Sequence, residues 1–282
     1  MKYLFYTAAC MSLALAATSC GGAKQQAEAP AEEPTTTELT IYNPDGSEAR
    51  TVAFATLPDS TIVLFDGSSL EGWRGYGRDT VTSKWSIEDS TLTFTPAETG
   101  EGGDIIFAHP FKNFEMTLDW KVSEGANSGI FYLAQESRSV NEKGDTVWDP
   151  IYISAPEYQV LDNANHPDAK LGKNNNRQSA SLYDMIPAVP QNSKPFGEWN
   201  EAKIVVNNGT ISHWQNGEKV VEYQINTPEW TALLQDSKFS EKAWPRAFEL
   251  LNNCGGAEQK GYIGMQDHGN KVWFRNIRVK EL

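Results

Sequence analysis

The chain has 282 residues, 39% hydrophobic and 22% charged, and a formal net charge of −13. With no basic stripe to offset that charge, nucleic acid is disfavoured as a partner. Nine Trp and ten Tyr in so acidic a chain favour a neutral polar ligand such as a sugar, although aromatic residues also serve as core.

Residues 1–19 read as a secretory leader: Lys2, then an apolar run from Tyr3 to Ala17 that is too short to span a bilayer. The "AATSC" that follows resembles a bacterial lipobox, which makes Cys20 the lipidated first residue and anchors the protein to a membrane. An ordinary leader cut near Cys20 is the alternative. The expectation is an exported cell-envelope lipoprotein, in the periplasm or on the outer surface. Cys10 leaves with the leader and Cys20 carries lipid, so Cys254 is left without a disulfide partner. Residues 20–38 are rich in Ala, Pro, Glu and Thr and read as a flexible tether. Residues 39–282 then form one β domain.

Along that domain, "TIVLFDGSSLEGW" and "KWSIEDSTLTFTP" supply early strands. In "FEMTLDWKV" strict alternation puts Phe114, Met116, Leu118, Trp120 and Val122 on one face. "GIFYLAQ" is apolar on both faces, as in a central strand. Ser137 to Ile153 reads as a long loop with "NEKGD" at its tip. "AKIVVNNGTISHWQNGEKVVEY" holds three strands joined by tight Asn-Gly turns. Thr227 to about Asn253 has helical spacing, with Pro228 and Pro245 at two helix starts. Two more strands surround "HGN" near the C-terminus. Many short strands with long loops point to an all-β sandwich or jelly roll.

The stretch "PEYQVLDNANHPD" carries the first site candidates. Extended backbone sends Glu157 and Gln159 one way and Tyr158 and Val160 the other. If the latter pair face between sheets, the former stand on an open face, either as a groove or as plain solvated surface. Asp162, Asn163 and His166 are turn formers by default. A calcium site from Asp162, Asn163 and Asp168 is a second reading, so a divalent metal stays open as a cofactor. Asn127 and Ser128 of "NSGI" lead into a central strand at a groove rim. In "MQDHGN", Gln266 and His268 share one phase. Arg275 offers a planar fork suited to an oxyanion. His213 reads as a core histidine. A non-catalytic carbohydrate-binding lipoprotein fits these features as well as an enzyme does.

Taken in order, "LFDGSSLEGW", "GANSGIFYL", "EYQVLDNANHPD", "SLYDMIPA", "GEWNEAKIVVNNGTISHWQNGEKVVEY" and "GYIGMQDHGNKVWFRNIRVKEL" resemble the 3-keto-disaccharide hydrolase family from about Thr61 to Leu282. The resemblance implies a concanavalin-A-like jelly-roll sandwich of two antiparallel sheets, with the helical stretch near 228–253 as an insertion. It also implies a carbohydrate substrate already oxidised at C3 of a glucose-type ring. Such a ketone acidifies the C2 proton, so cleavage proceeds by proton abstraction, β-elimination at C1 and water addition. That chemistry needs a base, an acid and oxyanion donors. Glu157 or His166 is the expected base and His268 the acid or its partner. Asn127, Ser128, Gln159, Asp162, Gln266 and Arg275 are expected to bind hydroxyls or the oxyanion. The loop before Pro156 and the stretch from Thr227 to Gln259 depart from the compact family pattern, and both are placed to border the groove.

Overall fold

The computed structural model describes residues 35–282; the leader, Cys20 and residues 21–34 of the tether lie outside the described residues. The strands are β1 (Thr35–Tyr42), β2 (Glu48–Thr56), β3 (Ile62–Phe65), β4 (Trp73–Gly75), β5 (Trp85–Glu88), β6 (Thr91–Phe94), β7 (Ile105–Phe111), β8 (Phe114–Val122) and β9 (Asn127–Ala134). They continue as β10 (Arg138–Val140), β11 (Thr146–Trp148), β12 (Glu157–Leu161), β13 (Asn200–Asn207), β14 (Thr210–Gln215), β15 (Glu218–Gln224), β16 (Gly261–Met265) and β17 (Val272–Glu281). Helices α1 (Pro228–Gln235) and α2 (Pro245–Asn252) lie between β15 and β16.

The larger sheet runs β1-β2-β3-β17-β8-β13-β14-β15, and the smaller runs β12-β9-β16-β7-β4. The two form the expected all-β jelly-roll sandwich, antiparallel in each. The long β17 pairs with β8 along one edge, while its other edge is shared between β6 (Val272 to Phe274) and β3 (Ile277 to Val279). Alternation on β8 is as read: the five apolar residues are buried and the four between them are half-buried. Each fully buried large side chain contributes roughly 1.5–3 kcal/mol, so these rows decide which face turns inward. The two Asn-Gly hairpin turns also form, with positive φ at both Asn208 and Gly209 and at both Asn216 and Gly217.

Two readings change, and one strand is added. Thr35 to Glu38, assigned to the tether, are strand: they pair with Thr56 to Ala53 in the β1–β2 hairpin. The Ser137–Ile153 loop holds a small β10–β11 ribbon, closed where Asn141 Oδ1 accepts from Lys143 N and Asp145 N, both at 2.9 Å. The added strand is β7, an apolar run interrupted by His109 and Pro110, which joins β4 and β16 in the smaller sheet.

The helical insertion starts as its sequence indicates. Thr227 Oγ1 accepts from Trp230 N, and Pro228 occupies the first turn. Trp230 is fully buried, stacks on Tyr223, and donates from Nε1 to Leu251 O at 2.9 Å. That bond ties α1 to the end of α2.

His213 is a core histidine. Its Nδ1 must donate to the Ala180 carbonyl at 2.8 Å, so Nε2 accepts from Tyr132 Oη, and Tyr223 Oη donates in turn to Tyr132. Burial holds its pKa down at about 4. Replacing Tyr132 by Phe strands the buried Nε2 and should cost about 1–3 kcal/mol in urea denaturation, with binding at the smaller sheet's outer face unchanged.

Candidate active site

On β12, Tyr158 and Val160 belong to the core between the sheets. Glu157 and Gln159 therefore stand on the outer face of the smaller sheet. The neighbouring strands add Asn127 and Gly129 on β9 and Gly264 on β16, with Gln266 just beyond it; Gln266 N continues the ladder by donating to Gly129 O at 2.9 Å. Two other chain segments wall this face. One is the turn Ile151–Ile153, which brings Tyr152. The other is the link between α1 and α2, which brings Lys238 and Trp244. Together with Tyr183 and His268 they enclose a cavity of about 270 Å³.

The cavity has two chemically different sides. One is lined by the carboxamides of Asn127, Gln159 and Gln266, the other by Tyr152, Tyr183 and Trp244, with Tyr152 and Trp244 edge to face at 5.9 Å. Among the described residues, six buried side-chain polar atoms lack a hydrogen-bond partner, and three of them are Asn127 Oδ1, Gln159 Nε2 and Gln266 Oε1. Unpaired buried polar atoms are costly and rare. Half of those found here belong to residues that line one hollow, which fits a hydroxyl-rich ligand.

Glu157 is 7% exposed and lies across Gly129, whose missing side chain makes the room; a Cβ there would come within 2.9 Å of the Glu157 carboxyl carbon. Burial pushes the Glu157 pKa up to about 8; the nearby Lys238 ammonium opposes this, and Asp104 and Asp168 add to it. Asp104, which accepts from Asp267 N at 2.8 Å, is pushed up to about 7, chiefly by burial. At the mouth, exposed His268 meets Asn127 Nδ2 through Nε2 at 3.3 Å. His166 stands perpendicular to His268 with ring centroids 6.2 Å apart; its Nδ1 accepts from Asp168 N. Burial and the neighbouring His268 lower the His166 pKa.

Five of the nine expected site residues thus share the cavity: Asn127, Glu157, Gln159, Gln266 and His268. His166 is adjacent to it. Three expectations are corrected. Arg275 sits on β17 of the other sheet, bonded to Asp119 Oδ2 at 2.9 Å and stacked on Trp199 at 4.1 Å, because Phe274 before it faces the core. Ser128 points to the opposite face from Asn127 and donates to Gln266 O at 2.8 Å. Asp162 is a turn former, accepting from Gly125 N, Ala164 N and Asn165 Nδ2. The calcium reading also loses its cluster: Asn163 bonds Ser179 and Ser193, while Asp168 bonds Arg177 and Tyr183. Among the described residues no group of three His, Cys, Asp or Glu side chains is placed to hold a metal. Cys254 is a buried free thiol whose pKa burial raises.

Sequence reasoning missed Tyr152, Tyr183, Lys238 and Trp244. Three of them come from the two departures from the compact pattern, and that was the available signal. Tyr183 lay inside the quoted "SLYDMIPA".

The sequence pattern of the 3-keto-alpha-glucoside-1,2-lyase-like domain matches residues 60–280. The chain belongs to this family. It is 59% identical, over the whole of both chains, to a 3-keto-disaccharide hydrolase of Bacteroides thetaiotaomicron. It is also similar to two solved glycosyl-hydrolase candidates from Parabacteroides distasonis. One is 27% identical with a TM-score of 0.65, covering 79% of this chain and 95% of that one. The other is 25% identical with a TM-score of 0.58, covering 79% and 99%. The family match begins at residue 60, so β1 and β2 lie before the matched segment.

The raised Glu157 pKa has a stability consequence of definite sign. Between about 4.5 and about 8 the unfolded chain has released this proton and the folded chain has kept it, so this group's contribution to stability falls as pH rises through that window. Glu157→Gln should unfold at the same temperature as the wild type at pH 4. At pH 8.5 it should be more stable by on the order of a few kcal/mol, read by thermal denaturation.

Proposed function

We propose that the protein is a hydrolase of glycosides oxidised at C3 of a glucose-type ring, acting through the cavity on the smaller sheet. The observation that carries the reading is a buried, high-pKa carboxyl lining the same hollow as three carboxamide side chains, each of which carries an unpartnered buried atom. Family membership and the identity to a 3-keto-disaccharide hydrolase support the substrate class.

The residues take these roles. Glu157 as carboxylate removes the proton from C2, and the C–H electron pair forms the C2=C3 bond of an enediolate with the charge on the C3 oxygen. When the charge returns, the C1–O bond breaks and its electrons leave with the aglycone oxygen, which takes a proton from His268 at the mouth. Water then adds to C1 of the unsaturated ketone, giving its proton to His268 and so restoring it, and Glu157 returns its proton to C2. The sum is hydrolysis of the glycosidic bond. A base with a pKa near 8 suits this work, since a stronger base removes a carbon-bound proton faster once ionised. Asn127, Gln159 and Gln266 supply hydrogen bonds to ring hydroxyls. A cavity of about 270 Å³ is small for a ligand site and fits one sugar ring, with the leaving group outside. The leader and Cys20 lie outside the described residues; export and a lipid anchor are part of the same proposal.

The test is aglycone release from a nitrophenyl 3-keto-glucoside and from its unoxidised parent, with and without a chelator. Turnover of the oxidised glycoside alone is expected. Saturable binding without turnover would instead support a binding module. For an active wild type, kcat/KM should rise with pH and level off above about 8, as Glu157 ionises. Glu157→Gln should lose at least about a hundredfold in kcat while remaining folded.

A further inference from the structure

An enediolate places a full negative charge on the C3 oxygen, and a preorganised donor at that point is commonly the largest single contribution to such a reaction. Arg275 cannot supply it, since its guanidinium is held by Asp119 on the other sheet. Among the nine residues lining the cavity, Lys238 is the one lysine or arginine; burial lowers its pKa, and the facing Glu157 opposes that shift.

Lys238 is built into place. Its backbone N donates to Asp184 Oδ2 at 2.7 Å, and Asp184 Oδ1 accepts from Arg177 Nε at 2.6 Å. Arg177 also donates to Asp168 Oδ1 at 2.9 Å, and Asp168 Oδ2 accepts from Tyr183 Oη at 2.9 Å. The Tyr183 ring in turn carries the Lys238 ammonium at 4.2 Å, and Phe239 carries it at 5.0 Å. These bonds fix the lysine's main chain, and the ring it lies on, to the same short segment. The ammonium itself makes no ion pair within 4 Å among the described residues, although Arg177 and Asp168 are paired beside it. Its three donors are therefore free for a ligand. Glu157 shares the cavity, so the groups that remove the C2 proton and receive the resulting charge face one ring.

We propose that Lys238 is the electrophile of this site: its ammonium hydrogen-bonds the C3 oxygen of the bound ketone and holds the negative charge that gathers there as the C2 proton leaves. The proposal rests on the 3-keto-glycoside reading. It gives the helical insertion a chemical task, since the link between α1 and α2 delivers this side chain. No bond is made or broken to the lysine, and its charge is the same before and after the step.

The experiment compares wild type, Lys238→Met and Lys238→Arg in the full chain, on the nitrophenyl 3-keto-glucoside. It reads kcat and KM separately and follows C2 proton exchange with D2O by NMR. Lys238→Met is expected to lower kcat and the exchange rate together by about 10²–10³-fold, with KM changed by less than about fivefold. Lys238→Arg is expected to recover part of the loss. Lys238 is half-buried on a link rather than in the core, and thermal unfolding checks that each variant is folded. A folded Lys238→Met with near-normal kcat, or with a raised KM alone, overturns the assignment while the reaction stands. A wild type that neither exchanges C2 nor releases aglycone overturns the reaction, and the role of Lys238 with it.

Discussion

Tyr158 and Val160 are fixed between the two sheets, so the residues that alternate with them on β12 have no freedom to turn elsewhere. This is why a carboxylic acid and an amide are held out of water on the outer face of a five-stranded sheet. The arrangement depends on Gly129 across the strand pair, where any side chain would take the space the Glu157 carboxyl occupies. A group so confined is expensive to ionise, and once ionised it takes up a proton the more strongly.

The rest of the cavity follows from that constraint. A high-pKa acid stays functional only if its surroundings supply charge where the reaction needs it. The chain does so with segments that are not strands. The turn at Ile151–Ile153, the Asp168–Arg177–Asp184 network and the link between α1 and α2 all come from connections. The sheet fixes the carboxyl and the amides; the connections bring the aromatic wall and the cation. Rigid strands carrying one set of groups and loops carrying the other is a common division of labour on sandwich folds.

Sequence alone made the scaffold readable wherever one face was buried and the other was not. Phe114 to Val122 alternate without exception, and the two Asn-Gly pairs mark hairpins because both residues must adopt positive φ. The phase of Glu157 and Gln159 was legible for the same reason. Arg275 failed on a different point: its own phase, next to a core phenylalanine, sends it outward, but which sheet β17 joins is a long-range fact that periodicity does not contain. Ser128 and Asp162 failed because their partners, the Gln266 carbonyl and the Gly125 amide, are distant in the chain or a matter of loop geometry. Lys238 lies in a polar linker whose composition matches any exposed connection, so nothing local distinguishes it.

The connection between β15 and β16 walls one side of the cavity. Its two helices are clasped to each other by the indole of Trp230 and the carbonyl of Leu251, and it runs from the edge strand of the larger sheet to the central strand of the smaller one. Such a segment behaves as a cassette. A change confined to it alters Lys238 and Trp244 in the cavity wall while leaving the strands that carry Glu157, Gln159 and Asn127 in place. Reshaping that wall then needs changes in one stretch of chain, not a redesign of the two sheets beneath it.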